Sequence, residues 1–211
     1  MTNDIDKNLA VEWDKRWDGS QEKERLTILG RKMFNAKEHI LKKVLDDIQI
    51  RTVVEVGCGL GHTLRIFHDA GYECEGIDIS PEAVAVCRKK RLNATLMNLD
   101  AMDRQFDLVS SDGMLEHFLN FEPYAEHLVR ISRRYVLLIQ PNHGSFIGKT
   151  LAYLSELLVG DKNVYEYNYR IMDFINIFAG HGFNIVRNEK IFLDVFRLLL
   201  FEKVGLRNSC E

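Results

Sequence analysis

Glycines stand at alternate positions 57, 59 and 61, in the run Glu55-Val56-Gly57-Cys58-Gly59-Leu60-Gly61. Three residues without a Cβ allow a tight turn and let the backbone approach a ligand that side chains would hold off. Such a turn after a strand serves dinucleotides as well as other adenosine-containing ligands. Two neighbours separate these readings. A pyrophosphate fingerprint wants a small residue three places after its second glycine, and here that place holds His62. Glu55 would repel a diphosphate but attract the sulfonium and ammonium of S-adenosylmethionine. Asp78 and Asp100 supply further carboxylates, which only accept hydrogen bonds and so suit ligand hydroxyls and amines.

The elements around these residues put them at one end of a sheet. Arg51 to Val56 reads as a β-branched strand running into the glycines, and Thr63 to Ala70 as a helix closed by Gly71. The alternation repeats with a strand at Cys74 to Ile79, then Ser80 as N-cap and Pro81 as first residue of a helix reaching Arg91. A third strand is expected from Ala94 to Asp100, a fourth over Phe106 to Ser111, a helix from Pro123 to Ser132, and a fifth strand over Tyr135 to Ile139. Apolar strands alternating with helices argue for a parallel sheet covered on both faces, with ligands at the carboxyl ends of the strands. Before this core, Met33 to Ile48 has the spacing of an amphipathic helix, and Trp13 and Trp17 would share a helical face. After it come helices expected near Ile147 to Leu158 and Arg170 to Ala179, and a sixth strand from Phe183. The apolar block Ile191 to Leu200 is too short to span a bilayer and is open between a core strand, a dimer surface and a membrane-skimming helix; a buried element is expected.

Composition narrows the partners. With 211 residues, 46% of them hydrophobic, and a net charge of -3, the chain is expected to form a single domain with no global basic charge to bind nucleic acid. The start lacks the pattern of a signal peptide and no stretch is apolar enough to span a membrane, so the expected location is the cytoplasm. Cys58, Cys74, Cys87 and Cys210 have no CxxC spacing, and no metal is expected. A small-molecule partner is the expectation, with a homodimer left open.

Val54 to Gly61 resembles the first motif of the class I S-adenosylmethionine-dependent methyltransferases, and the likeness continues through Gly76-Ile77-Asp78-Ile79-Ser80, Asn98-Leu99-Asp100-Ala101, Phe106 to His117 and Gln140-Pro141-Asn142-His143. The resemblance implies a Rossmann-like, doubly wound α/β fold with a seven-stranded, mostly parallel sheet and helices on both faces. It also implies S-adenosylmethionine as methyl donor, with S-adenosylhomocysteine as product. Glu55, Gly57, Cys58, Gly59 and Gly61 become candidate donor contacts, joined by Asp78 with Ile79 at the ribose and Asp100 with Ala101 at the adenine. The reaction would be an in-line transfer to a small-molecule acceptor, in which the protein chiefly aligns the partners in a dry pocket. His117 and His143, after the fourth and fifth strands, are the candidate general bases. Residues 1–32 are expected to form a cap and residues 144–169 an aromatic lid. A nicotinamide-dependent oxidoreductase and a binding protein without catalysis are the competing readings.

Overall fold

The computed structural model describes Trp13, residues 28–145 and residues 166–205. Most of the expected cap and lid, including Trp17, the helix near Ile147 to Leu158, Tyr153 and Tyr165, lies outside the described residues, as does Cys210.

Helix α1 (Ile28–Asp46) leads into β1 (Thr52–Val56), α2 (His62–Asp69), β2 (Glu73–Asp78), α3 (Pro81–Lys89) and β3 (Ala94–Leu96). Then follow β4 (Phe106–Asp112), α4 (Glu122–Arg130), β5 (Ser132–Pro141), α5 (Ile171–Gly180), β6 (Phe183–Ile191) and β7 (Phe196–Lys203). The seven strands form one sheet in the order β3-β2-β1-β4-β5-β7-β6. β1 to β5 pair in parallel, whereas β7 runs antiparallel to both β5 and β6. The fold is thus the Rossmann-like α/β arrangement, with one reversed strand inside the sheet.

Alternation along β5 shows how both faces are filled. Val136 and Leu138 pack in one cluster with Leu128 of α4 and Phe174 of α5. Leu137 and Ile139 point the other way, into a cluster with Leu41 and Val44 of α1 and Phe67 of α2. A strand apolar on both faces is what a sheet covered by helices on each side requires. Local chemistry sets the helix starts: the Ser80 hydroxyl accepts from the Ala83 N–H at 3.1 Å, and Pro81 occupies the first turn of α3.

Two expectations change. The third strand stops at Leu96, and Leu99–Ala101 forms a 3-10 turn instead of continuing to Asp100. The apolar C-terminal block is the interior strand β7; Leu198, Leu199, Leu200 and Phe201 are at most 1% exposed, so they are core rather than a dimer surface or a membrane-skimming helix. Among the described residues no helix is long and apolar enough to cross a membrane. The turn from β6 into β7 holds Phe192, Leu193 and Asp194 all at positive φ, a conformation that costs side-chain-bearing residues about 1 kcal/mol or more each. Asp194 offsets part of this by its ion pair with Arg197, whose Nη2 lies 2.9 Å from Oδ2.

Candidate active site

At the carboxyl ends of β1, β2 and β4 the chain encloses a cavity of about 360 Å³, within the range of small-ligand sites. One wall is the glycine turn. Gly57 and Cys58 both donate to the Ile77 carbonyl, at 2.9 and 3.1 Å, which fastens the turn to the end of β2. Gly57 has φ +71°, and a Cβ there would stand 3.1 Å from Met114 Sδ on the opposite wall. Asp78 is 7% exposed and uses both oxygens on backbone: Oδ2 accepts from Gly59 N–H and Oδ1 from Ser80 N–H, each at 2.8 Å. This carboxylate therefore holds the glycine turn against the start of α3.

Behind the turn lies Glu55, 2% exposed, with Oε2 lacking a hydrogen-bond partner among the described residues. Burial, reinforced by the charge of Asp112, pushes its pKa well above the usual carboxylate range. A buried, under-satisfied carboxyl is costly unless a donor or cation meets it. Asp112, at the end of β4, is better served: Lys37 Nζ lies 2.8 Å from both of its oxygens and Thr63 Oγ1 donates at 2.7 Å. Lys37 comes from α1 and sits 5.8 and 5.5 Å from the ring centres of Phe34 and Phe196. Its ammonium thus bridges α1 to the sheet through charge and aromatic faces.

A second carboxyl cluster lines the far side of the cavity. Glu116, on the 3-10 turn Leu115–His117, is 4% exposed and its Oε2 has no partner among the described residues. Ligand atoms of Glu116, His117 and Glu166 all lie within 4.8 Å of one another. The rest of this wall is aromatic, with Trp13 edge-on to His117 at 4.8 Å and Phe118 stacked on Tyr124 at 3.7 Å between centroids. Burial pushes Glu116 up to about 8. Since the unfolded carboxyl titrates near 4.3, the folded state binds the extra proton across that interval and loses stability as pH rises from about 4.5 through 8. Glu116→Gln should remove that penalty. Its melting temperature relative to the unsubstituted protein should climb between pH 5 and pH 8.5 in scanning calorimetry; a difference that stays constant with pH would contradict the assignment.

Of the residues marked out by sequence, Glu55, Gly57, Cys58, Gly59, Asp78, Ile79 and His117 line this cavity. Gly61 is not on its wall but caps the start of α2 at φ +74°. Asp100 and Ala101 are exposed on the turn one residue beyond Leu99, and Asn98 and Leu99 face the cavity instead. The early end of β3 accounts for this shift. His143 is half-buried in the turn after β5 and does not line the cavity either. Sequence reasoning gave no site role to Lys37, Thr63, Asn98, Glu166, Asp112 or Glu116. The one signal available for the last two was their place at and just beyond the end of β4, which pairs with the strand that leads into the glycine turn.

A family model described as a methyltransferase domain matches residues 29–188. Ajmaline N-methyltransferase of Rauvolfia serpentina is 29% identical over 105 residues, covering 44% of this chain and 36% of that protein. Norajmaline N-methyltransferase of the same plant is 27% identical over 94 residues, 39% and 32% of the two chains. The matched part is thus about a third of the length of these curated relatives. Among solved structures, magnesium protoporphyrin IX methyltransferase from Synechocystis with bound S-adenosylhomocysteine superposes with a TM-score of 0.75 at 16% identity, over 93% of this chain and 99% of that one. A protein described as a possible histamine N-methyltransferase from Thermotoga maritima gives 0.72 at 14% identity, over 90% and 98%. At such identities the likeness is one of fold.

Proposed function

The chain belongs to the methyltransferase-domain family, and from that membership we propose that it transfers the methyl group of S-adenosylmethionine to a small-molecule acceptor bound in the same cavity. The observation that carries the reading is Glu55, a buried carboxyl whose Oε2 has no partner among the described residues, beside the glycine turn on the cavity wall. That socket suits a ligand with cationic groups and repels a diphosphate, which argues against the oxidoreductase alternative. Glu55 would face the donor's positive end, Asp78 its ribose hydroxyls, and Ile79, Asn98 and Leu99 its adenine, with Asp100 one residue further along the same turn. When bound, the donor supplies a methyl already activated on sulfur.

The chain's own residues then have to orient an acceptor and keep water out. Trp13 and Glu166 on the far wall support the expectation that the segments around residues 1–32 and 144–169 cover the acceptor side. His117 remains a candidate to move a proton there. His143, away from the wall, does not. Cytoplasmic residence belongs to the proposal and is supported by the free thiols of Cys58, Cys74 and Cys87; a homodimer stays within it.

Calorimetric titration with S-adenosylhomocysteine and with NADH tests the donor, and transfer of labelled methyl to metabolite pools tests the reaction. The first ligand should bind and the second should not. Binding without transfer to any pool would favour a non-catalytic role. Glu55→Gln should weaken donor binding by about tenfold, the value of one charge-assisted contact; unchanged affinity would remove Glu55 from the site.

A further inference from the structure

On the reading that the chain is a methyltransferase, we propose that its acceptor is an amine, held as an ammonium ion among Glu116, Glu166 and His117, with Glu116 taking up its proton. Three polar atoms within 4.8 Å of one another match the spacing of acceptors set around one tetrahedral nitrogen at a hydrogen-bonding distance of about 2.9 Å. Glu116 supplies an independent indication, because its carboxyl belongs to this cluster and its Oε2 is buried with no partner among the described residues. A buried carboxyl of this kind is satisfied by a donor that arrives with the ligand.

The charge around the cluster also selects a cation. Glu116 is faced by Glu166 from the segment before α5, by Asp112 from the end of β4 and by Lys37 from α1, with His117 next in sequence. Lys37, the cation in this group, is held by both oxygens of Asp112 at 2.8 Å. Among the described residues, Glu116 and Glu166 are therefore left to meet incoming positive charge. The neighbouring surfaces of Trp13, Phe118, Tyr124 and Met114 distinguish an organic ammonium from a metal ion, since aromatic faces and a thioether stabilise the substituents of an organic cation and offer nothing to a hydrated divalent one.

The chemistry balances with these groups. The ammonium gives one proton to the Glu116 carboxylate and becomes a neutral amine. The nitrogen lone pair forms the new N–C bond as the C–S bond breaks, and that electron pair stays on sulfur. The positive charge passes from sulfur to the methylated nitrogen, and the proton on Glu116 leaves to solvent. An ordinary carboxylate would be a poor acceptor, about a million-fold too acid for an alkylammonium. Burial, which brings Glu116 to about 8, narrows that gap to about a hundredfold.

The test uses the full chain saturated with S-adenosylhomocysteine, titrated calorimetrically with 2-phenylethylamine, with its neutral counterpart 2-phenylethanol and with Mn²⁺. The amine should bind at least tenfold more tightly than the alcohol. Glu116→Gln should abolish that preference while leaving S-adenosylhomocysteine affinity unchanged, and the more exposed Glu166→Gln should reduce it in a variant whose fold is not in question. In parallel, labelled methyl should pass to members of an amine panel and not to phenols or carboxylates, with turnover rising as pH increases through 8. Equal binding of amine and alcohol, or label found on phenols or carboxylates alone, would overturn the amine while leaving methyl transfer intact. Binding of Mn²⁺ that is lost in Glu116→Gln and excludes the amine would assign the cluster to a metal instead. Failure to bind S-adenosylhomocysteine at all would overturn the underlying reading.

Discussion

Asp78→Ala is expected to weaken S-adenosylmethionine binding by two orders of magnitude or more. The side chain has two duties in one place. It accepts from Gly59 N–H and Ser80 N–H at 2.8 Å each, so its loss frees two buried backbone donors and releases the glycine turn from the start of α3. It would also meet the ribose of the donor. A hydrogen bond to a charged group contributes about 1.5–3 kcal/mol, and losing the ligand contacts together with the pinned turn exceeds the roughly 2.7 kcal/mol that corresponds to a hundredfold change. Asp78→Asn keeps one acceptor oxygen and should fall between the two proteins. Calorimetry with S-adenosylhomocysteine reads both variants; affinity within threefold of the unsubstituted protein in Asp78→Ala would remove the residue from the donor site.

Gly61→Ala should unfold the protein at a temperature roughly 5–15 °C lower. Gly61 sits at φ +74°, and a Cβ there would stand 2.6 Å from Leu92 Cδ1 and 2.7 Å from Cys87 Sγ. The left-handed backbone costs an alanine about 1–2 kcal/mol, and forcing a methyl into the packed space behind α2 adds about 1–3 kcal/mol. In a chain of this size each kcal/mol moves the melting temperature by about 2–4 °C. A saturating donor should recover part of the loss, because ligand that binds only the folded state adds stability. A melting temperature within 2 °C of the parent would mean that the turn yields easily, and that Gly61 is not needed for its shape.

The glycine turn, Glu55 and Asp78 were readable because each lies within a few residues of a strand end, where local sequence dictates local geometry. The parallel core was readable for the same reason, since apolar runs and caps recur in short windows. What escaped depends on contacts between distant parts of the chain. Lys37 meets Asp112 across 75 positions, and the Glu116 cluster includes Glu166 from the far end of the expected lid; neither pairing leaves a mark in spacing. The third strand was drawn too long because Met97 and Asn98 look no different from strand residues. Yet the chain leaves the ladder after Leu96 and folds into a 3-10 turn that carries Asp100 outward. The ambiguous C-terminal run became β7 because two neighbours, β5 and β6, offered unpaired edges on either side, a decision its own residues do not encode.

That reversed strand also fixes an order of events. β7 lies between β5 and β6 although it follows both in the chain, so a nascent chain that has reached Ile191 still presents β5, apolar on both faces, with a bare edge. An unpaired hydrophobic edge is a template for another copy. Synthesis must therefore pass Lys203 before the sheet can close, and folding of this half of the sheet waits on β7. A ribosome stalled before Phe196 would hold a chain in need of a chaperone, whereas a chain freed with β7 complete is able to close its own sheet.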